Sequence, residues 1–388
     1  MKIKSILTIA MIGLLAWSFN GCEGAEGPTG PQGTAGADGT DGTTGADGTA
    51  GADGADLTAL APAGTFFSLA VNNNAGDMQF GSFVNYLAFD EADADVTASN
   101  PDAPQVVSLK TPLPPEIDGI EAEGEWLGAG TTITLEQITD FEKYDGLSPA
   151  GVSSVKVKAA YDDDYVYFQL SWDDADNSFE KDKLEYSTTG GWSKSGNEDR
   201  FYFMWPITGY PDTEFADGNG CDAFCHYDEA SANGKGYMFT EWPDQLVDTW
   251  QWKATRGNPI GFVHDKHLIY QDAADLTDLT TKWSGRKGDQ GNDPYIENKL
   301  SGSYPLFMHI SDPDANEGYP SFDYEMVPFD QSAVFSDGAT IPGVFLRSPE
   351  GSGADVHCIG VYSDGGWLVE VRRLRNTGHG DDHQFLPE

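Results

Sequence analysis

Val155-Lys156-Val157-Lys158-Ala159-Ala160-Tyr161-Asp162-Asp163-Asp164-Tyr165-Val166-Tyr167-Phe168-Gln169-Leu170-Ser171-Trp172 is the stretch from which the fold class can be read. Val155, Val157 and Ala159 alternate with Lys156 and Lys158, three aspartates turn the chain, and Val166, Phe168, Leu170 and Trp172 then share one face of a second strand. A period of two on either side of a polar turn predicts an antiparallel hairpin with one face buried. Phe201-Tyr202-Phe203-Met204-Trp205 is apolar on both faces, as a central strand would be. A last hairpin is predicted from Val356 to Val361, turning at Ser363-Asp364-Gly365-Gly366 and returning through Trp367 to Val371. With 46 glycines, 21 prolines and little that reads as helix, the chain is expected to be an all-β protein, a β-sandwich with long loops between Gly209 and Pro342. Such loops are where binding residues concentrate.

The N-terminus reads as an export signal over residues 1–21: Lys2 and Lys4 precede an apolar run from Ile6 to Trp17 that is short for a membrane span. Gly21-Cys22 then resembles a bacterial lipoprotein processing site, so Cys22 is expected to be lipidated and the rest to lie outside the cytoplasm, anchored to a membrane. Within residues 22–56, glycine recurs every third position from Gly24 to Asp56, the spacing a collagen-like triple helix demands. A homotrimer through this segment and a flexible acidic stalk are both open, because Pro28 and Pro31 are its only imino acids. Residues 57–112, with a strand-like run at Phe66 to Asn73, read as a lead-in and linker without an assignable function, and residues 113–388 as the main domain. A formal net charge of −41 argues against nucleic acid and anionic membrane surfaces as partners and favours docking to a basic protein.

Gly220-Cys221-Asp222-Ala223-Phe224-Cys225-His226 carries the chemistry. Two cysteines followed directly by a histidine can capture haem covalently and ligate its iron, here with a spacer one residue wider than the usual C-x-x-C-H. The same pair could close a small disulfide loop in an exported protein. Trp250 and Trp252 share a face of an extended segment and could wall a haem pocket or form a stacking platform for a sugar.

The ordered series Ile117-Asp118-Gly119, Glu123-Gly124-Glu125-Trp126, Leu170 to Asp174, Glu198-Asp199-Arg200, the Cys221–His226 element, Val247 to Ala254, Ser284-Gly285-Arg286, Tyr295 to Asn298 and Gly366 to Leu374 resembles the ethylbenzene-dehydrogenase-type haem-binding domain over roughly residues 113–388. The resemblance implies haem, c-type with the cysteine pair or b-type without attachment, and a redox partner such as a respiratory molybdenum oxidoreductase or a cytochrome. It also implies a closing strand beyond Phe385. Family haem subunits resemble one another in a methionine and lysine ligand pair, which this chain departs from.

His226 is therefore the first expected iron ligand, with Met238 opposite it and Met308 or Lys266 as alternatives. Core packing is the commoner fate of a methionine between aromatics. His264, His267, His379 and His383 read as solvated loop histidines, the acidic runs Asp162-Asp163-Asp164 and Asp173-Asp174-Ala175-Asp176 as turns, and Cys358 as a buried free thiol. No G-x-S-x-G, H-E-x-x-H or phosphate loop occurs, so the sequence alone argues against an enzyme. An extracytoplasmic haem protein for electron transfer is the expectation. A cell-surface glycan-binding module with a Cys221–Cys225 disulfide is the alternative.

Overall fold

The computed structural model describes residues 64–72, 80–90, 105–137, 152–208, 239–240, 242–270, 285–310 and 320–385. The chain divides into two units, Met1–Leu57 and Thr58–Glu388, and all described residues belong to the second. Among the described residues there is no α-helix, only strands, turns and short 3-10 segments.

The strands are β1 (Gly64–Asn72), β2 (Phe80–Asp90), β3 (Gln105–Lys110), β4 (Thr131–Thr134), β5 (Glu136–Gln137), β6 (Ser154–Tyr161), β7 (Tyr165–Asp173), β8 (Lys183–Ser187), β9 (Gly191–Ser195), β10 (Arg200–Thr208), β11 (Leu246–Lys253), β12 (His264–Ile269) and β13 (Arg286–Gly288), followed by shorter pieces and a C-terminal hairpin, His357–Ser363 and Gly366–Leu374. One large sheet runs β13-β12-β11-β10-β1-β2-β3-β6-β7, then Gly366–Leu374 and His357–Ser363, with β4 alongside β6 and β5 alongside β2. β3 lies parallel to both β2 and β6, and the other pairs in this sheet are antiparallel.

The sheet curls over itself. Four strands separate β7 from β10 in the order, yet the Phe168 ring sits 5.4 Å from Phe203 and 5.5 Å from Trp205. The two halves face each other across a core in which Phe67, Phe168, Phe201, Phe203, Trp205, Trp250 and Trp252 are fully buried. A right-twisted sheet this wide closes on its apolar face because closure removes that face from water. The all-β sandwich read from the sequence is the fold, and β10 is internal to the sheet as its two apolar faces imply.

Two local readings change. β1, β2 and β3 come from the segment 57–112, and they form the middle of the large sheet between β10 and β6. The β6–β7 hairpin is buried on both faces, not one: Ala160 and Tyr167 on its outer side pack with Trp126 and Ile117. The reason is Glu370, which holds the opening segment against the sheet. Its carboxylate accepts hydrogen bonds from Trp126 Nε1 (2.9 Å), the backbone N–H of Gly119 (2.9 Å) and Asp118 (3.1 Å), and Gln169 Nε2 (3.1 Å). Each of these donors would be stranded without it. Glu370→Ala is expected to lower the unfolding free energy by about 2–3 kcal/mol, seen as a lower urea midpoint at unchanged m-value.

The Asp162 turn forms as read, with Asp162 Oδ1 accepting from the backbone N–H of Asp164 (2.9 Å) and Tyr165 (2.7 Å). Cys358 is free and buried, and burial pushes its thiol up.

Candidate functional site

β11 and β12 carry charged side chains on both faces of the sheet. Their register sets Trp250 opposite Asp265, Asp248 opposite His267, Thr249 opposite Lys266 and Gln251 opposite His264. Opposed residues in an antiparallel pair point to the same side. Asp248, Asp265 and His267 therefore share the inner face with the core tryptophans, and Thr249, Gln251, Lys253, His264 and Lys266 share the outer one.

On the inner face the C-terminal segment closes over the strands. Arg373 is fully buried, donates from Nη1 to Asp248 Oδ2 (2.5 Å) and from Nη2 to the His383 carbonyl, and lies 4.8 Å from the ring centroids of both Trp250 and Phe385. The backbone N–H of His383 donates to the same Asp248 oxygen (3.0 Å). One oxygen from each of Asp248, Asp265 and Asp382 lies within 4.8 Å of the other two, and all three residues are buried. Two like-sized groups adjoin this one: His267 with Asp289 and Asp381, and Asp355 with His379 and Asp382. Burial pushes the Asp248 carboxyl up to about 6 against the pull of Arg373. It lifts Asp382 to about 8, and Asp265 well above the ordinary carboxylate range with Asp289 adding repulsion.

The outer face is built around amines. Lys253 Nζ meets His264 Nδ1, and His264 Nε2 lies 2.9 Å from Asp293 Oδ1, which also faces Lys266 Nζ at 3.3 Å. Burial drives the Lys253 amine and the His264 ring well below their usual values, and it lowers Lys266 against the opposing effect of Asp293. Beside them Glu198 accepts from the backbone N–H of Thr255 (3.0 Å) and Arg256 (3.2 Å) and pairs with the Arg256 guanidinium. Thr249 Oγ1 and Gln251 Nε2 on this face are buried without a hydrogen-bond partner. A buried amine whose charged form is disfavoured, next to unpaired polar atoms, is a donor set suited to a metal or a polar cofactor edge.

The sequence-derived site residues distribute as follows. Cys22, Cys221, Cys225, His226 and Met238 lie outside the described residues. Trp250 and Trp252 are 0% exposed in the core, where Trp252 stacks on Phe201 (5.7 Å, 7° between planes) and its Nε1 donates to Asn258 Oδ1 (3.0 Å), so a sugar ring has no access to them here. Met308 is buried in a separate small cluster with Leu184, Trp192 and Ile341, and its Sδ accepts from the Asp330 backbone N–H (3.2 Å). Lys266 joins the outer cluster, on the side of β12 opposite the tryptophan pair.

The histidines correct the expectation of solvated loops. His264 and His267 are on β12, His264 buried and His267 Nδ1 2.5 Å from Asp289 Oδ1. His383 stacks on Trp205, its Nδ1 is 2.6 Å from the Pro206 carbonyl, and burial lowers it to about 3. A polar run hides a strand when packing buries its charged side chains: His264 and Lys266 face Asp293, His267 faces Asp289, and Asp265 lies opposite Trp250.

Asp248, Asp265, Asp382 and Arg373 were not singled out from sequence. The usable signal was Asp248 alternating in phase with Trp250 and Trp252, a carboxyl on an otherwise apolar face.

Residues 129–388 match the family profile described as ethylbenzene dehydrogenase. No curated protein matches the chain.

Proposed function

As the chain belongs to the ethylbenzene dehydrogenase family, we propose that it binds haem and passes single electrons as part of an oxidoreductase. That membership corrects one sequence-based expectation: the family is that of a subunit of an enzyme, so setting enzymes aside was wrong. Membership also fits the setting of a molybdenum oxidoreductase.

In this reading Cys221 and Cys225 attach the haem through thioethers, His226 ligates the iron, and Met238 stands opposite, with Lys266 the alternative among the described residues. Met308 is the weaker alternative because its sulfur already accepts a hydrogen bond within a packed cluster. The described residues suit such a group: Lys266 is largely buried with its amine lowered by desolvation, and Thr249 Oγ1 and Gln251 Nε2 beside it lack partners. When bound, haem supplies a centre that changes by one electron without a proton needing to move. The protein's own contribution is to hold the ligands, keep water from the iron and set the surrounding charge. Export and a lipid anchor at Cys22 would present this domain at a membrane, and its acidity would favour a basic redox partner.

The observation that carries the proposal is the Gly-Cys-x-x-x-Cys-His element falling between β10 and β11, inside the residues that match the family. The full chain, expressed in a host that matures c-type cytochromes, is expected to give a c-type pyridine haemochrome band and a haem-stained band on a denaturing gel. A b-type band with haem lost on the gel would keep haem but return Cys221 and Cys225 to a disulfide. Well-folded protein without haem would overturn the proposal.

A further inference from the structure

Asp248, Asp265, Asp289 and Asp382 are four carboxyls packed inside an apolar sandwich, and the protein answers only part of their charge. Arg373 and the His383 backbone N–H take one oxygen of Asp248, and His267 takes one of Asp289. Asp248 Oδ1, both oxygens of Asp265 and Asp289 Oδ2 have no hydrogen-bond partner, and Asp382 Oδ2 lies 3.7 Å from His379 Nδ1. Asp265 is only 2% exposed, and its register opposite Trp250 aims its side chain at the inner face. Burying an ionised carboxylate without a partner costs several kcal/mol, so three converging ones call for either a bound cation or protonation.

We propose that Asp248, Asp265 and Asp382 bind a hard divalent cation, for which calcium is the best fit, and that the ion ties β11 and β12 to the C-terminal segment. The three carboxylates converge from β11, β12 and the chain after Arg375, with one oxygen of each inside a 4.8 Å span. Oxygen-only donors select hard ions over zinc, which takes nitrogen and sulfur more readily. Calcium accepts about 6–8 oxygens in irregular geometry, including bidentate carboxylates, whereas magnesium demands near-octahedral geometry and usually keeps several of its waters, which suits it less to a cluster of buried carboxylates. Arg373 on the far oxygen of Asp248 orients that carboxylate, the usual work of a group just outside a metal's ligands. Burial raises the affinity of the same carboxyls for protons, so protons are the competitor for the site. The ion and the haem are separable: this ligand set contains no residue assigned to haem.

The test uses the full chain, stripped with EDTA, dialysed against calcium chloride and analysed for calcium by elemental analysis, with thermal unfolding in calcium and in EDTA. The expected result is about one calcium per chain, and a melting temperature higher by about 5 °C in saturating calcium. Terbium in place of calcium should luminesce on tryptophan excitation, since Trp250 pairs with Asp265. Asp265→Asn should weaken calcium binding by about 100-fold or more, beyond the loss of an outer-shell partner. In EDTA the same variant should melt no lower than wild type, because the amide replaces a carboxyl whose ionised form burial already disfavours. Calcium well below one per chain, with identical melting in EDTA and calcium, would overturn the proposal and leave the carboxyls protonated. Should Asp265→Asn fail to fold, Asp382→Asn gives the same comparison, and the wild-type metal content and EDTA shift decide by themselves.

Discussion

Arg373→Met is expected to destabilise the domain by about 3–5 kcal/mol, the loss typical of removing one partner from a buried ion pair. The guanidinium is the hub of the inner face. It pairs with Asp248, donates to the His383 carbonyl and lies 4.8 Å from the centroids of both the Trp250 and the Phe385 ring. Methionine refills much of the volume and keeps contact with both rings, so cavity formation contributes little and the electrostatic part is isolated. What remains is Asp248 without its ion-pair partner and the His383 carbonyl without this donor. A single variant cannot separate these, but a double-mutant cycle can. Asp248→Asn in the Arg373→Met background should be less destabilised than the sum of the two single changes, with a coupling of about 1–3 kcal/mol in chemical denaturation. Strict additivity would mean that Arg373 acts through packing and the C-terminal carbonyl, with no ion pair of consequence.

The expected penalty is large because the pair is fully buried, so the Asp248 carboxylate left behind would be neither solvated nor ion-paired. The C-terminal segment is also held by Phe385 packing on Trp205 (5.0 Å between centroids), by the His383 backbone N–H on Asp248 (3.0 Å) and by His383 Nδ1 on the Pro206 carbonyl (2.6 Å), and among the described residues Arg373 is the cation paired with Asp248 of β11. Loss of that link should also loosen Asp382, so calcium binding and stability should fall together in this variant.

The parts of the fold that sequence made legible are those in which side-chain period and burial coincide. β6, β7, β10 and the C-terminal hairpin follow their alternation because a pleated strand shows one apolar row to the core. β1 to β3 were harder to interpret, since nothing local to Phe66–Asn72 says that β10 will pair with it; that pairing joins residues far apart in sequence. The two-sided burial of β7 was hidden for the same reason, resting on Glu370 reaching back to Trp126 and Gly119.

The family's ordered residues turn out to be largely structural where they are described. Glu198 caps the Thr255–Arg256 backbone, Asp199 accepts from Ser178 N (2.7 Å) and Trp367 Nε1 (3.0 Å), and Trp252 anchors Asn258, which binds Gly360. Gly360 itself leaves no room for a side chain, because a Cβ there would approach Trp252 to 2.7 Å. Motifs of this kind identify a family through its scaffold. The buried carboxyls were missed because an aspartate on a strand reads as exposed until the strand facing it is known.

Replacing both Cys221 and Cys225 by alanine should abolish heat- and detergent-resistant haem on a denaturing gel, an all-or-none effect. In covalent attachment each thiol adds across one vinyl group of the haem, forming a C–S bond and saturating that vinyl group. With both cysteines gone the vinyl groups stay conjugated to the ring, so the pyridine haemochrome should move from the c-type to the b-type position. Each single variant should keep one thioether, retain haem on the gel and give an intermediate band. His226 remains in the double variant and can still ligate iron, so native protein should continue to bind haem, only reversibly. That separation distinguishes attachment from ligation: His226→Ala should instead leave the stained band and alter the axial-ligand spectrum. Covalent haem surviving in the double variant would contradict the attachment, and native haem lost together with the gel signal would mean that the thioethers, more than the pocket, hold the group in place.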